Sequence, residues 1–491
     1  MASPSPLSQQ AASGAAWNLG LGVAVRIAGL AGTLVLTHFI PPQDYGAVSI
    51  AAVSILSATR LLNMGLGAFV ISHASPPREV FQAVVLHSAA MAVACGVAVV
   101  FRTEIAGAGG VPSAARYFPG LALAALALQL SQIPSSTLVR SLRFRVVATS
   151  RALGEIAFTV TSLALAPLLG AMAIVIGNVA RSTLVSGLIL GRSNRAEWLQ
   201  PAALDRRTLA RFFGFGLPLT GAALADTAAS QWDNFLVGGM FGPRVVGQYA
   251  LAYNLAQTPA GNVAEPISDV LLPSFAKVEP GRRKDAFLRA VSLVALVSFP
   301  LAFGLAAVSR RLIDAVLDAR WAAVGPMLAL LSGISLMRPV TWVVEAYLQP
   351  QKRTGLILAL SAFRALAVLG LVATLGSRSP LWACGAVTIA FAVHALLCVG
   401  ALSVLEGVGW TSTLSAAGRP LLAAALMGAA VFGVDLLVSA PPGHAALLVL
   451  LGECLLGAGL YAGIATILAR DKVRDLWNLA REVWSRRRQG S

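Results

Sequence analysis

Pro41-Pro42-Gln43-Asp44-Tyr45-Gly46 is a short turn between two apolar stretches, which together extend from residue 14 to residue 70. About 200 residues later, Gly242-Pro243-Arg244-Val245-Val246-Gly247 lies between two further apolar stretches of the same kind. When the two turns are aligned, three residues coincide at one offset: Pro42 with Pro243, Gly46 with Gly247 and Ala51 with Ala252. This repeat predicts a chain that is built from two related halves.

The composition indicates a membrane protein. Of the 491 residues, 57% are hydrophobic and only 12% are charged, and the mean hydropathy is +0.76. A soluble domain carries roughly twice that fraction of charged residues. The net charge of +16 would also suit a protein that binds nucleic acid, but membrane proteins concentrate Lys and Arg in their cytoplasmic loops, which explains the excess. We therefore expect a polytopic membrane protein and no nucleic-acid partner.

Apolar segments of about 20 residues, long enough to cross a bilayer as helices, recur along the whole chain. They predict an all-α protein with about fourteen transmembrane helices, at 15–40, 46–70, 81–101, 117–139, 150–168, 171–191, 212–238, 245–272, 287–308, 322–346, 355–375, 380–401, 418–438 and 444–469. Proline or glycine interrupts two of these apolar runs: Pro167 and Gly170 divide the run at 150–191, and 322–346 contains Arg338-Pro339.

The predicted helices form two lobes of six, followed by two additional helices. Six is an even number, so both lobes enter the membrane from the same side, which predicts a parallel repeat. The loops on one side hold most of the 37 Lys and Arg residues, so we expect both termini in the cytoplasm of a bacterial inner membrane. The expected segments are a tail at 1–14, a first lobe at 15–191, a basic linker at 192–211, a second lobe at 212–401, two helices at 418–469 and a basic amphipathic tail at 470–491.

Several charged residues lie inside the predicted helices, although a charge at bilayer depth costs at least ~2.5–3.5 kcal/mol. Such residues line an aqueous cavity, pair with an opposite charge, or extend to the membrane surface. The candidates for a cationic cavity that holds an anionic head group are Arg26, Arg60, Arg338 and Arg364. The candidates for binding a coupling cation or proton are Asp226, Asp233 and Glu265. For Arg181, an ion pair with Glu155 is the favoured interpretation.

The sequence carries no motif of a known enzyme class. It has neither the G-x-x-x-x-G-K-[ST] loop of nucleotide hydrolases nor a G-x-S-x-G motif with a candidate triad. The four cysteines and five histidines lack metal-ligand spacing. A protein with two related membrane halves and charges on the leading helices is most simply a transporter without cofactors or metals.

Motifs along the first 276 residues carry a resemblance to a known family. The chain resembles bacterial polysaccharide flippases of the Wzx/PST type, within the multidrug/oligosaccharidyl-lipid/polysaccharide exporter superfamily. The similar stretches are Trp17-Asn18 with Arg26, Pro41 to Gly46, Asn63 to Gly67, Leu142 to Arg145, Phe213 to Pro218, Asp233 to Gly238, Gly247 to Ala252 and Leu272 to Ala276. After residue 276, only the hydropathy is similar.

The resemblance implies two six-helix lobes around a cationic cavity that alternates between the two sides of the membrane. It implies export of undecaprenyl-diphosphate-linked oligosaccharide from the cytoplasmic to the periplasmic leaflet, for exopolysaccharide, O-antigen or capsule, coupled to Na⁺ or H⁺. The arginine candidates would then contact the diphosphate or acidic sugars. Expected partners are membrane lipid and the polysaccharide polymerase and export machinery. The alternatives are a multidrug exporter of the same superfamily and a membrane-embedded enzyme of glycan assembly.

Overall fold

A computed structural model describes residues 29, 31–73, 75–351, 353–438 and 444–475. Within these residues every regular element is helical. The α-helices, numbered from Pro42, are α1 Pro42–Leu61, α2 Leu66–Ser72, α3 Pro77–Val100, α4 Arg102–Ala108, α5 Phe118–Leu130, α6 Gln132–Arg140, α7 Phe144–Leu169, α8 Met172–Arg192, α9 Arg206–Gln231, α10 Asp233–Lys277, α11 Arg283–Val316, α12 Val324–Leu331, α13 Gly333–Leu348, α14 Thr354–Thr374, α15 Pro380–Glu406, α16 Trp410–Leu437 and α17 His444–Leu468.

In the described part of the chain, eleven helical segments are long and apolar enough to cross a membrane, or up to twelve if the bent pair α1 and α2 is one span. One of these segments, Arg206–Thr258, covers the predicted helix at 212–238 and the first half of the predicted helix at 245–272. Most of the predicted helix at 15–40 lies outside the described residues. The prediction of an all-α polytopic membrane protein is confirmed, and the observed helices are consistent with about fourteen spans.

Both repeated turns place a proline at the start of a helix. Helix α1 begins at Pro42 after an extended Pro41, and α10 is kinked at Gly242, where φ is +81°, immediately before Pro243. Proline suits this position because its fixed φ is compatible with a helix and the first N–H needs no partner. Glycine tolerates the positive φ that the kink requires. The predicted turns are therefore present at both places.

One further predicted break is present, and a second helix has a break that was not predicted. Helix α7 ends at Leu169, and Gly170 follows with a φ of +54° before α8 begins. The segment predicted as one helix at 322–346 consists of α12 and α13, which meet at Ser332. At the end of the chain, residues 470–475 are helical, and the remainder of the predicted amphipathic tail lies outside the described residues.

Contacts divide the chain into two compact units, Met1–Gly247 and Gln248–Ser491. The first unit contains the contacts of α7 with α8, of α5 with α3 and α8, and of α9 with α1 and α2. One of its cores joins α2, α3, α6 and α9 through buried apolar side chains: Leu66, Phe69, Val70, Val80, Ala83, Ile133 and Phe212. The prediction of a linker at 192–211 and of lobes on either side of it stays a prediction.

The two repeated turns touch each other inside the first unit. A Cβ atom added to Gly46 would lie 2.2 Å from the carbonyl oxygen of Pro243, and one added to Gly247 would lie 1.8 Å from that of Pro42. The contact is reciprocal, because the glycine of each turn faces the proline of the other turn. At these two positions only glycine allows the backbones to approach so closely.

The second unit is organised around α11, which is 34 residues long and packs against α13, α16 and α17. One of its cores combines residues of α10, α11, α13 and α15, including Phe275, Phe287, Val343, Tyr347 and Leu402. A smaller apolar layer joins α11, α16 and α17 through Ala307, Val308, Met427, Val431 and Leu450.

Candidate functional site

Arg338 is the arginine candidate whose surroundings are best defined. It lies in α13 directly before Pro339 and is partly buried. Its Nη1 donates to Oε1 of Gln257 at 2.6 Å, and its guanidinium carbon lies 5.2 Å from the centre of the Trp342 ring. The amide and the ring orient the guanidinium, through a hydrogen bond and a cation–π contact. An oriented guanidinium can present parallel N–H groups to a phosphate or carboxylate.

Arg364 has a different environment, because its packing leaves it only 2% exposed. It lies in α14, with its guanidinium carbon 5.8 Å from the centre of the Phe391 ring of α15. One turn further along α15, the buried His394 and Cys398 are in hydrogen-bond contact at 3.5 Å. Contact between Arg364 and a substrate would therefore require a movement of α14 or α15.

Arg60 and Asp226 are both exposed in the first unit. Arg60 is in the last turn of α1, where a positive charge interacts favourably with the helix dipole. Asp226 lies in α9, and its backbone carbonyl accepts a hydrogen bond from Ser230 at 2.7 Å. Exposure within an apolar helix means that each side chain faces either lipid or an aqueous space.

Asp233 is fully buried at the first position of α10. Its Oδ1 accepts a hydrogen bond from the backbone N–H of Asn234 at 3.0 Å, and a carboxylate is favoured at the positive end of a helix. Asp226 and Asp233 thus have different environments although they are seven residues apart. Of the other candidates, Arg26 lies outside the described residues, and Glu265 belongs to α10 but its side chain is outside them. The binding roles of all seven candidates stay predictions.

The predicted ion pair of Arg181 is confirmed. Nη1 of Arg181 in α8 lies 3.1 Å from Oε1 of Glu155 in α7, and Nη2 donates to Oδ1 of Asn178 at 2.6 Å. The ring of Phe158 lies under the same guanidinium, with its centre 5.5 Å away. Because carboxylate, amide and ring all engage this arginine, its function is to join α7 to α8.

One cluster of charged residues was absent from the predicted set. Arg311 of α11 lies between Asp435 of α16 and Glu453 of α17, at 2.7 Å from each carboxylate. Each of the three side chains is at most 8% exposed. Asp435 and Glu453 each lie inside a predicted transmembrane helix, and that position is the signal by which they could have been found.

The comparison with protein families identifies the group to which the chain belongs. The profile of the family described as "Polysaccharide biosynthesis protein" matches residues 35–326, which is more than half of the chain. The chain is a member of this family. The match includes both repeated turns and the helices that join them, so the family relationship rests on the part of the sequence that carries the repeat.

Curated relatives of this polysaccharide biosynthesis protein support the same assignment. It is 25% identical over 364 residues to the lipopolysaccharide biosynthesis protein WzxC of Escherichia coli (strain K12), and the match covers 73% of each chain. It is 24% identical over 463 residues to the succinoglycan biosynthesis transport protein ExoT of Rhizobium meliloti (strain 1021), covering 91% of each chain. The prediction of a Wzx/PST-type protein is confirmed.

Solved structures show the fold of this family member. The lipid II flippase MurJ, in an inward closed conformation, matches with a TM-score of 0.77 and 15% identity over 92% of this chain and 98% of the other. A multidrug resistance MATE transporter of the MOP superfamily matches with a TM-score of 0.58 over 78% of this chain and 99% of the other. The fold is that of this transporter superfamily, and the prediction of a transporter rather than an enzyme is confirmed.

Proposed function

We propose that this protein moves a lipid-linked oligosaccharide from the cytoplasmic to the periplasmic leaflet of a bacterial inner membrane, for surface polysaccharide. The observation that carries the proposal is the family match over residues 35–326. The relatives' names support it, since one is called a transport protein for succinoglycan biosynthesis and another a lipopolysaccharide biosynthesis protein. The superfamily fold is suited to alternating access, in which one part of the molecule rocks against another.

The chemistry of such a substrate explains why a protein is needed. Its diphosphate and sugars cannot enter hydrocarbon, because burial of an unpaired charge is very costly. Its polyprenyl tail can remain in the bilayer throughout. The transporter therefore needs a polar path for the head group, with cationic side chains along it. Arg338 is our strongest candidate for this contact, together with Arg26, Arg60 and Arg364, because guanidinium groups bind diphosphate through paired charge-assisted hydrogen bonds.

We propose further that an ion gradient drives this movement. Asp226, Asp233 and Glu265 are candidates for binding Na⁺ or H⁺, because carboxylates in membrane helices commonly form ion and proton paths. In the proposed topology both termini are cytoplasmic, and the polysaccharide polymerase and export machinery receive the product.

Reconstitution tests the proposed function directly. The purified protein is placed in liposomes that contain a fluorescent undecaprenyl-diphosphate-linked oligosaccharide, and a membrane-impermeant reductant bleaches the outer leaflet. We expect the protected half of the fluorescence to become accessible in protein-containing liposomes and to stay protected in protein-free ones. Equal protection in both preparations, with correctly folded protein, would contradict the proposal.

The multidrug exporter is the second candidate, since the fold of a MATE transporter is also similar. Arginine candidates in four of the predicted helices do not suit cationic drugs, which favour acidic cavities. A drug-susceptibility assay separates the two functions. Deletion of a lipid-linked oligosaccharide transporter leaves susceptibility unchanged and traps precursor on the inner leaflet, whereas deletion of a drug exporter increases susceptibility.

A further inference from the structure

The cluster of Arg311, Asp435 and Glu453 contains two carboxylates and one guanidinium. Nε of Arg311 lies 2.7 Å from Oδ1 of Asp435 and 2.7 Å from Oε1 of Glu453. That nitrogen carries a single hydrogen, which it donates to Asp435. Nη2 donates to two backbone carbonyls at 2.8 Å, those of Asp435 and Val438. The strong donors of the guanidinium are thus directed mainly to the end of α16.

The carboxylate of Glu453 is buried with few hydrogen-bond donors to compensate its negative charge. Its side chain is 1% exposed. Its Oε1 lies 2.7 Å from Nε of Arg311, whose single hydrogen is donated to Asp435, and its Oε2 has no hydrogen-bond partner among the described residues. The Arg311 and Asp435 side chains are each 8% exposed. A carboxylate that is buried without adequate hydrogen bonds is strongly disfavoured in its ionised form.

The surroundings offer no second cation to Glu453. The charged groups that act on it from neighbouring helices are Arg311 of α11 and Asp435 of α16. Helix α11 also carries Arg310 and Asp314, but these are exposed and pair with each other at 3.9 Å. On α17 the adjacent titratable group is Cys454, which is exposed. Val308, Val431 and Leu450, each one turn from a member of the cluster on the same three helices, pack together in an apolar core.

We propose that Glu453 is a proton-binding site, which holds a proton beside the Arg311–Asp435 pair and releases it when the packing of α11, α16 and α17 opens. With the proton bound, the cluster has one positive and one negative charge and is neutral. Loss of the proton leaves a net negative charge in an apolar layer, so the deprotonated form favours a more open arrangement. We assign a proton rather than a metal ion as the ligand, because the guanidinium of Arg311 already places a positive charge between the two carboxylates.

This site uses none of the sequence-predicted coupling candidates Asp226, Asp233 and Glu265. It uses the two helices that follow the predicted second lobe, and Arg311 connects them to α11. Its existence is independent of the transported substrate. Its use in transport rests on the proposed function: a carboxyl that exchanges its proton only when three helices separate would couple that movement to the proton gradient.

Infrared difference spectroscopy tests the site on the full-length protein in lipid nanodiscs. A buried protonated carboxyl gives a carbonyl stretching band that an ionised carboxylate lacks. We expect such a band in the wild type at neutral pH, its loss in Glu453→Gln, and its retention in Asp314→Asn, which removes an exposed carboxylate of α11. A band that persists in folded Glu453→Gln, or a wild type without the band, overturns the proposal.

A second variant tests the site even if Glu453→Gln does not fold. Asp435→Asn removes the carboxylate that competes with Glu453 for Arg311. The guanidinium of Arg311 can then pair with Glu453 alone. We expect ionisation of Glu453 to become easier, so that the band disappears at a pH at least one unit lower than in the wild type. An unchanged titration of the band in folded Asp435→Asn contradicts the proposal.

Flipping in liposomes with an imposed pH gradient separates this inference from the proposed function. We expect the gradient to accelerate flipping by the wild type severalfold and to leave the rate of Glu453→Gln unchanged. If the wild type shows the infrared band but no flipping, the proposed function fails and the proton site stands. If flipping occurs without the band, the proton site fails and the proposed function stands.

Discussion

Gly46 and Gly247 show how much a single position can depend on its partner in the repeat. Each glycine lies against the carbonyl oxygen of a proline, and a methyl group at either position would clash with that oxygen. The alignment of the two turns was visible in the sequence, but their contact was not. A repeat indicates that two segments have the same local structure, whereas only the packed chain brings them together.

Substitution of Gly247 is the first test at this scale. Gly247→Ala places a Cβ atom 1.8 Å from the Pro42 carbonyl oxygen. The backbone of one of the two turns must then move, and overpacking of this kind lowers the stability by about 1–3 kcal/mol. We expect a clear decrease in the thermal unfolding temperature of the detergent-solubilised protein. Gly96→Ala is the matched control, because this glycine of α3 has open space around it among the described residues. Its substitution should leave the temperature unchanged or raise it slightly. Equal temperatures for the two variants would contradict the contact.

Arg338 provides the second test. If its guanidinium binds the substrate diphosphate, Arg338→Ala should slow flipping by about tenfold or more, since a hydrogen bond to a charged group contributes roughly 1.5–3 kcal/mol. Arg338→Lys should retain part of the activity, because it keeps the charge and loses the fork geometry. The measurement is the bleaching rate in the liposome assay. Arg378→Ala serves as the control, because Arg378 lies outside the long helices and also contacts a tryptophan ring, that of Trp382. Similar rates for the two alanine variants would show that Arg338 does not bind the substrate.

At the scale of elements, most helices could be predicted from apolar length and from proline and glycine positions. The stretch predicted as one helix at 46–70 is an informative exception, because it is divided into α1 and α2, which are bent by 49°. Met64 and Gly65 both have positive φ at the break. On the facing helix α9, a Cβ at Gly216 would lie 1.8 Å from the Met64 carbonyl oxygen. The break coincides with close packing against α9, a helix that is distant in the sequence. The hydropathy of the stretch gives no sign of this packing.

Arg311 gives a prediction about how elements are joined. It links α11 to α16 and α17 through two carboxylates and two carbonyls. Arg311→Met removes the cation of a buried cluster, a change that costs about 3–5 kcal/mol in other proteins. We expect a large decrease in the unfolding temperature. The neighbouring Arg310→Met should have little effect, since Arg310 is exposed and its pair with Asp314 is long. Equal effects of the two substitutions would show that the cluster does not join these helices.

At the scale of the whole molecule, composition alone was sufficient to predict a polytopic helical membrane protein, and the motifs were sufficient to predict its family. The assignment of charged residues was less complete. The sequence identified Asp226 and Asp233 equally, but one is exposed and the other fully buried. It also provided no reason to join Arg311 with Asp435 and Glu453, which are more than a hundred residues away. Side-chain environment depends on which helices pack together, and hydropathy does not specify this.

The proposed topology leads to a labelling prediction. In a cysteine-free background, single cysteines are placed at Arg195, in the predicted cytoplasmic linker, and at Arg378, in a predicted periplasmic loop. A membrane-impermeant maleimide should label the cysteine at position 378 in cells whose outer membrane has been made permeable. It should label the cysteine at position 195 only after the inner membrane is also opened. The reverse labelling pattern would show that the proposed topology, and with it the proposed direction of transport, is inverted.

The reciprocal contact between the two repeated turns has a consequence for the origin of the chain. A contact in which each partner supplies the same two residues is the kind formed by two identical subunits around a twofold axis. An ancestor containing one repeat would possess both halves of this contact in every copy and could form it by dimerising. Gene duplication and fusion would then have preserved an existing subunit interface, and the glycine–proline pairs at 42–46 and 243–247 would be its trace.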